Sequence, residues 1–134
     1  MKSREGGQAA EGSSGRKLQR FEDLLVWKRA HELTLSVYRM TARFPRDEQF
    51  GLVSQMRRAA VSVPANIAEG FKKRSHPDKV KFYNISQGSL EELRYYLILC
   101  RDLGCAGEVD SAQANLDEVG RMLHGLIVSI GRRP

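Results

Sequence analysis

The 134-residue chain has only two cysteines, Cys100 and Cys105. Two thiols exclude the disulfide framework of a small secreted domain. Neither belongs to a Cys/His cluster with zinc spacing, so no structural zinc site is expected. The expectation is a core thiol at Cys100 and a loop thiol at Cys105. No run of about 18 apolar residues occurs, which excludes a helix that spans a membrane. The first residues carry no apolar segment of the secretory kind, so a cytoplasmic protein is expected. Aromatic residues make up 7% of the chain, and no RNA-binding motif of stacking aromatics is visible. Sustained period-two alternation is missing too, and with it any signal for a sheet.

Catalytic signatures are equally scarce. The three histidines, His31, His76 and His124, share no motif. There is no H-E-x-x-H, no G-x-S-x-G and no P-loop. Pairs such as Glu91–Glu92 and Asp117–Glu118 read as caps or solvated helix faces. The Glu-x-x-His repeat of di-iron bundles is missing as well. The expectation is a protein that is not an enzyme and needs no metal or cofactor.

What the chain has is positive charge, a net +6. Residues 1–20 hold five basic and two acidic side chains and almost no large apolar one. Such a segment buries too little surface to offset the cost of ordering, so a flexible basic tail is expected. Residues 45–74 hold six basic and three acidic side chains. The excess is thus a basic arm plus one basic helix, a pattern that attracts polyanions. The candidate phosphate contacts are Arg16, Lys17, Arg20, Arg46, Lys72, Lys73 and Arg74.

Four apolar stripes at helical spacing follow the tail. Val26, Ala30, Leu33, Val37, Met40 and Phe44 recur at 4-3-4-3-4 and predict a helix over about residues 23–44. Pro45 stops it, because a residue before proline avoids helical dihedrals. Asp47 is the expected N-cap of a second helix. Its expected seam is Leu52, Met56, Ala59, Val63, Asn66 and Gly70. Ser75 with Asp78 resembles a capping box and opens a third helix. That helix carries Tyr83, Ser86, Leu90, Leu93, Leu97 and Cys100 on one face, and Gly104 ends it. Val109, Ala112, Leu116, Val119, Leu123, Leu126 and Ile130 mark the fourth, over about residues 108–130. Four such helices with short loops predict an all-α, up-down-up-down antiparallel four-helix bundle over residues 21–131, with 132–134 as a polar end.

The stretch "RRAAVSVPANIAEG" (57–70) holds the least ordinary chemistry. Pro64 removes the helical hydrogen bond to the carbonyl of Ala60, which then needs another donor. Counting back from a turn at Arg74–Ser75 places Arg57 and Arg58 near Glu91 and Glu92, as ion-pair partners. It places Ser62 near Ser86 and Gln87, and Asn66 near Phe82 and Tyr83. A seam Asn fixes register or oligomeric state at some cost in stability. Glu69 has tyrosines, the third helix N-terminus, Lys72, Lys73 or a neighbouring subunit as candidate partners.

The blocks "FEDLLVWKRAHELTLSVYRMTARFP", "GLVSQMRRAAVSVPANIAEG", "GSLEELRYYLILCRDLG" and "GRMLHGLIVSI", in that order, carry a resemblance. They resemble a family of small bacterial four-helix-bundle proteins encoded in intervening sequences of large-subunit ribosomal RNA genes. The accessory variability proteins of diversity-generating retroelements are similar in fold. Asn66, Glu69, Gly70, Ser89 and Glu92 match characteristic positions of the family. With Arg57, Arg58 and Pro64 they form the set assigned here to structure and assembly. The resemblance implies a homopentameric ring, and a role beside RNA and a reverse transcriptase. The expected function is therefore an oligomeric nucleic-acid-binding accessory protein, with RNA as the favoured ligand. The alternative is a protein-interaction scaffold with no nucleic-acid role.

Overall fold

The computed structural model describes residues 18–48, 51–105 and 108–132. Four long helices carry the chain: α1 (Leu25–Thr41), α2 (Leu52–Lys72), α3 (His76–Asp102) and α4 (Val109–Gly131). Each packs on its sequence neighbour, and α1 also packs on α4, which closes an up-down-up-down bundle. At 1.5 Å per residue the helices run about 25–40 Å. One continuous core fills the space between them.

The α1 stripe is buried as its spacing requires: Val26, Ala30, Leu33, Val37, Met40 and Phe44 are each at most 6% exposed. The helix is shorter at both ends than its periodicity suggests. Phe21–Asp23 form a separate 3₁₀ turn, and Leu24 is extended before α1 begins. Asp23 accounts for the break, because its carboxylate accepts from the backbone amides of Gln19 and Arg20. Leu18 packs against the core just ahead of this turn. Residues 1–17 of the expected tail lie outside the described residues.

Helix α2 departs most from expectation. Asp47 is not its N-cap; that residue sits in a 3₁₀ turn, Arg46–Glu48, and Gly51 precedes the helix without a side-chain cap. The buried residues of α2 are Val53, Met56, Ala59, Ala60, Val63, Pro64, Ile67 and Gly70. Asn66 is half-buried, and Ile67 takes the core position expected for it. A 3.5-residue seam drifts against a 3.6-residue helix, so the stripe rotates within a few turns. The more apolar neighbour then faces the core.

The ends of α3 follow the sequence. The Ser75 hydroxyl accepts from the Asp78 amide at 3.2 Å, and Pro77 occupies the first turn. At the other end Gly104 adopts φ +78°. The Cys105 amide then reaches the Cys100 carbonyl at 2.9 Å, and the Gly104 amide reaches Arg101 at 3.1 Å. These paired bonds form the glycine-dependent cap that satisfies the last carbonyls. Cys100 is fully buried. Burial, with a hydrogen bond to Cys105, pushes its thiol up to about 12.

Candidate nucleic-acid interface

The "RRAAVSVPANIAEG" stretch is tied into the bundle on both sides. The Ala60 carbonyl, left without a helical donor by Pro64, accepts from the Thr34 hydroxyl of α1 at 2.9 Å. The same hydroxyl lies 3.1 Å from the Ala30 carbonyl. Its single proton belongs on Ala60, because Ala30 already accepts the helical amide of Thr34. On the other side Ser86 donates to the Val63 carbonyl at 2.8 Å. Ser89 donates to the Ser62 hydroxyl at 2.7 Å. Ser62 therefore bonds Ser89 rather than the expected Ser86 or Gln87, while Ser86 meets the next residue, Val63, and the hairpin register stays as counted. The Asn66 amide donates to the carbonyl and hydroxyl of Ser62, within its own helix.

The two arginines part company. Arg58 reaches Glu92, as the hairpin count places it, and also bonds Gln55. Arg57 does not meet Glu91. Its Nε donates to Thr41 Oγ1 at 2.9 Å, and its guanidinium lies 4.5 Å from the Tyr38 ring centroid. Arg57 sits on the α1 side of α2, one helical step of 100° from Arg58, so one helix hands its two arginines to two neighbours. Glu91 instead lies 3.5 Å from Arg94, which binds Asp117 of α4 at 2.6 Å.

Glu92 accepts from Arg58 and, at 2.8 Å, from the Tyr96 hydroxyl. The Arg58 hydrogen bond, followed by that of Tyr96, holds its carboxyl below the usual carboxylate range. A depressed folded value means stability that is present above the unfolded pKa and lost as pH falls through the folded one. Wild type should therefore lose its advantage over Glu92→Gln as the pH falls from neutral to about 3. Both side chains are substantially exposed, so the effect is small. Thermal melts of the two proteins across that range check it; a pH-independent difference would contradict the assignment.

The antiparallel topology decides where the cations go. The start of α1, the end of α2, the start of α3 and the end of α4 share one end of the bundle. Arg20 and Lys72 line one cleft of about 480 Å³ there. His76 and Lys81 line another with Ile130 and Gly131 of α4. Among the described residues this end holds Arg20, Lys72, Lys73, Arg74, Lys79, Lys81 and Arg132, against Glu22, Asp23, Glu69 and Asp78. Among the described side chains the far end holds Arg39, Arg43, Arg46 and Arg101, against Asp47, Asp102, Glu108 and Asp110. There Arg43 pairs with Glu108 at 2.9 Å. The bundle is thus basic at one end and near neutral at the other.

Four of the seven candidate phosphate contacts gather at the basic end: Arg20, Lys72, Lys73 and Arg74. Arg46 lies at the opposite end, about 30 Å away along α2. Arg16 and Lys17 precede Leu18 in the chain but lie outside the described residues. Lys79, Lys81 and Arg132 were missed by the sequence reading. Their signal was present in the pairing of helix ends, since an antiparallel turn at Arg74–Ser75 must set early α3 beside late α2. Lys79 donates to the Phe71 carbonyl at 2.7 Å and so helps to cap α2. Lys73 lies 3.5 Å from Glu69, which resolves the partner left open for that carboxylate.

Residues 22–125 match the family model described as 23S rRNA-intervening sequence protein. The chain belongs to that family. A crystal structure at 1.70 Å of a protein of unknown function from Bacteroides thetaiotaomicron VPI-5482, assigned to the S23 ribosomal protein family, has a similar fold. The TM-score is 0.69 at 21% identity, over 77% of this chain and 98% of that one. No curated protein matches the chain. Among the described residues, no group of three His, Cys, Asp or Glu is placed to hold a metal ion. No described helix is long and apolar enough to cross a membrane.

Proposed function

We propose that this member of the intervening-sequence family is a non-enzymatic accessory protein that binds nucleic acid, RNA above all, through the basic end of its bundle. The observation that supports this reading is the gathering of Arg20, Lys72, Lys73, Arg74, Lys81 and Arg132 at one end. The retroelement likeness adds assembly as a homopentameric ring, which repeats the basic end around an axis, and assistance to a reverse transcriptase. Contacts of this kind are made to phosphates, so binding tolerates sequence and weakens steeply with salt. The cytoplasm, where RNA is at hand, is the proposed location.

A labelled RNA titrated at rising salt tests the proposal. Replacing Lys72, Lys73 and Arg74 with glutamine should weaken binding and flatten the salt dependence by about 2 log units per log unit for a single strand. A wild-type protein that binds no RNA at low salt would end the proposal. Light scattering after size-exclusion chromatography reads the assembly, and a monomer at micromolar concentration contradicts the ring.

A second reading has its own observation. Helix α3 leaves Ile85 and Tyr95 exposed, and Leu103 just past its end, at 43%, 58% and 62%. Exposed apolar side chains suit a scaffold that docks a protein partner. Recovery of the same partner after nuclease treatment separates that role from RNA binding.

A further inference from the structure

Phe82 is a phenylalanine without an apolar home. It lies in the second turn of α3, half-buried at the basic end, and belongs neither to the core nor to the apolar residues packed against it. Two cations lie beside its ring. The ammonium of Lys73 lies 5.0 Å from its ring centroid and that of Lys81 lies 5.9 Å away. Lys73 is held in part by the Glu69 carboxylate at 3.5 Å, an exposed contact that exchanges readily with another anion. A half-buried phenyl ring flanked by two ammonium groups at the surface matches the element that single-strand binders use: bases stack on the ring and cations follow the backbone.

We infer that Phe82 is a base-stacking platform, and that the ligand of the basic end is single-stranded nucleic acid. This rests on the nucleic-acid reading and adds the strandedness of the ligand and the residue that reads it. A duplex keeps its base faces stacked inside, so a surface phenyl ring gains nothing from it. An unpaired base covers the ring in place of the Lys73 ammonium. The Lys73 and Lys81 ammoniums, freed from the ring, move to the phosphates on either side of that base. Lys73 exchanges the Glu69 carboxylate for a phosphate, so its charge stays compensated throughout. Stacking accepts any base, since each has a π face, so the site discriminates strandedness and not sequence.

Fluorescence anisotropy with a labelled oligoadenylate of about 16 nucleotides, free and annealed to oligouridylate, tests the inference. The wild type should bind the free strand more tightly than the duplex. Phe82→Leu should lose roughly 5- to 150-fold in affinity for the free strand, with duplex binding and salt dependence unchanged. Phe82→Tyr keeps the ring and should bind like wild type, which separates loss of stacking from loss of fold. Equal binding of oligoadenylate by Phe82→Leu and wild type, or a preference for the duplex, overturns the stacking platform. Either result would leave the phosphate-binding role of Lys72, Lys73 and Arg74 standing. If wild type binds neither probe at low salt, the underlying nucleic-acid reading falls, and this inference with it.

Discussion

Gly70→Val is expected to destabilise the protein by about 3 kcal/mol or more, the upper end of what overpacking costs. A Cβ built on Gly70 would stand 2.7 Å from Tyr83 Cε1, 3.0 Å from Cδ1 and 3.2 Å from the Lys79 carbonyl. Tyr83 is 2% exposed and fixed within the core, so its ring has no open space to move into. The backbone carbonyl of Lys79 is no more yielding. Helix propensity alone predicts the opposite sign for Gly70→Ala, a gain of about 1 kcal/mol over glycine inside a helix. The contact outweighs that gain, and Gly70→Ala should lose about 1–2 kcal/mol net. Gly125 supplies the contrast: no atom lies within 4 Å of its added Cβ. Gly125→Ala should therefore raise stability by up to about 1 kcal/mol. Urea unfolding of the three variants reads both signs, and a stabilised Gly70→Ala would refute the close packing of Tyr83 on α2.

Thr34→Val should cost about 1–3 kcal/mol, although it removes no volume. The substitution keeps the shape of the side chain and removes one donor. The Ala60 carbonyl would then be buried between α1 and α2 with neither a helical amide nor a hydroxyl. Its cost depends on Pro64, which supplies no amide in the position where one belongs. In a Pro64→Ala background the helix provides its own donor, and Thr34→Val should cost little. The coupling is read from a double-mutant cycle of unfolding free energies. Equal costs in the two backgrounds would show that Thr34 does not serve the carbonyl that Pro64 leaves open. The pair also explains why a proline sits in mid-helix: its defect is repaired by a residue 30 positions earlier in the chain.

Much of this arrangement was legible in the chain. The stripes of α1 and α3 named their buried residues, the Ser75 cap and the Gly104 turn were visible, and Pro64 announced an open carbonyl at Ala60. The stripe of α2 was less legible, because Asn66 and Ile67 are neighbours and either continues a plausible period. A shift of one residue turns a helix by 100°, and only packing against two partners at once selects Ile67. Arg57 and Arg58 were indistinguishable for the same reason. Counting along a hairpin gives their distance from the turn and not the side of α2 from which each departs.

The basic end shows the same division for function. Local charge picked out Lys72, Lys73 and Arg74, but it also picked out Arg46, which the bundle carries to its other end. It passed over Lys81, Arg132 and the half-buried ring of Phe82, which lie apart from residues 72–74 in the sequence and share their end of the bundle only in the fold. The sequence by itself determined that four amphipathic helices form, where α3 begins and ends, and which carbonyl would lack a donor. Those are local facts, set by side chains within a turn or two of one another. The tertiary structure alone decided that Thr34 supplies the donor, that Ile67 rather than Asn66 faces the core, and that cations from distant segments share one end. Those depend on how each helix is rotated against two neighbours, a geometry fixed by simultaneous packing across the whole bundle.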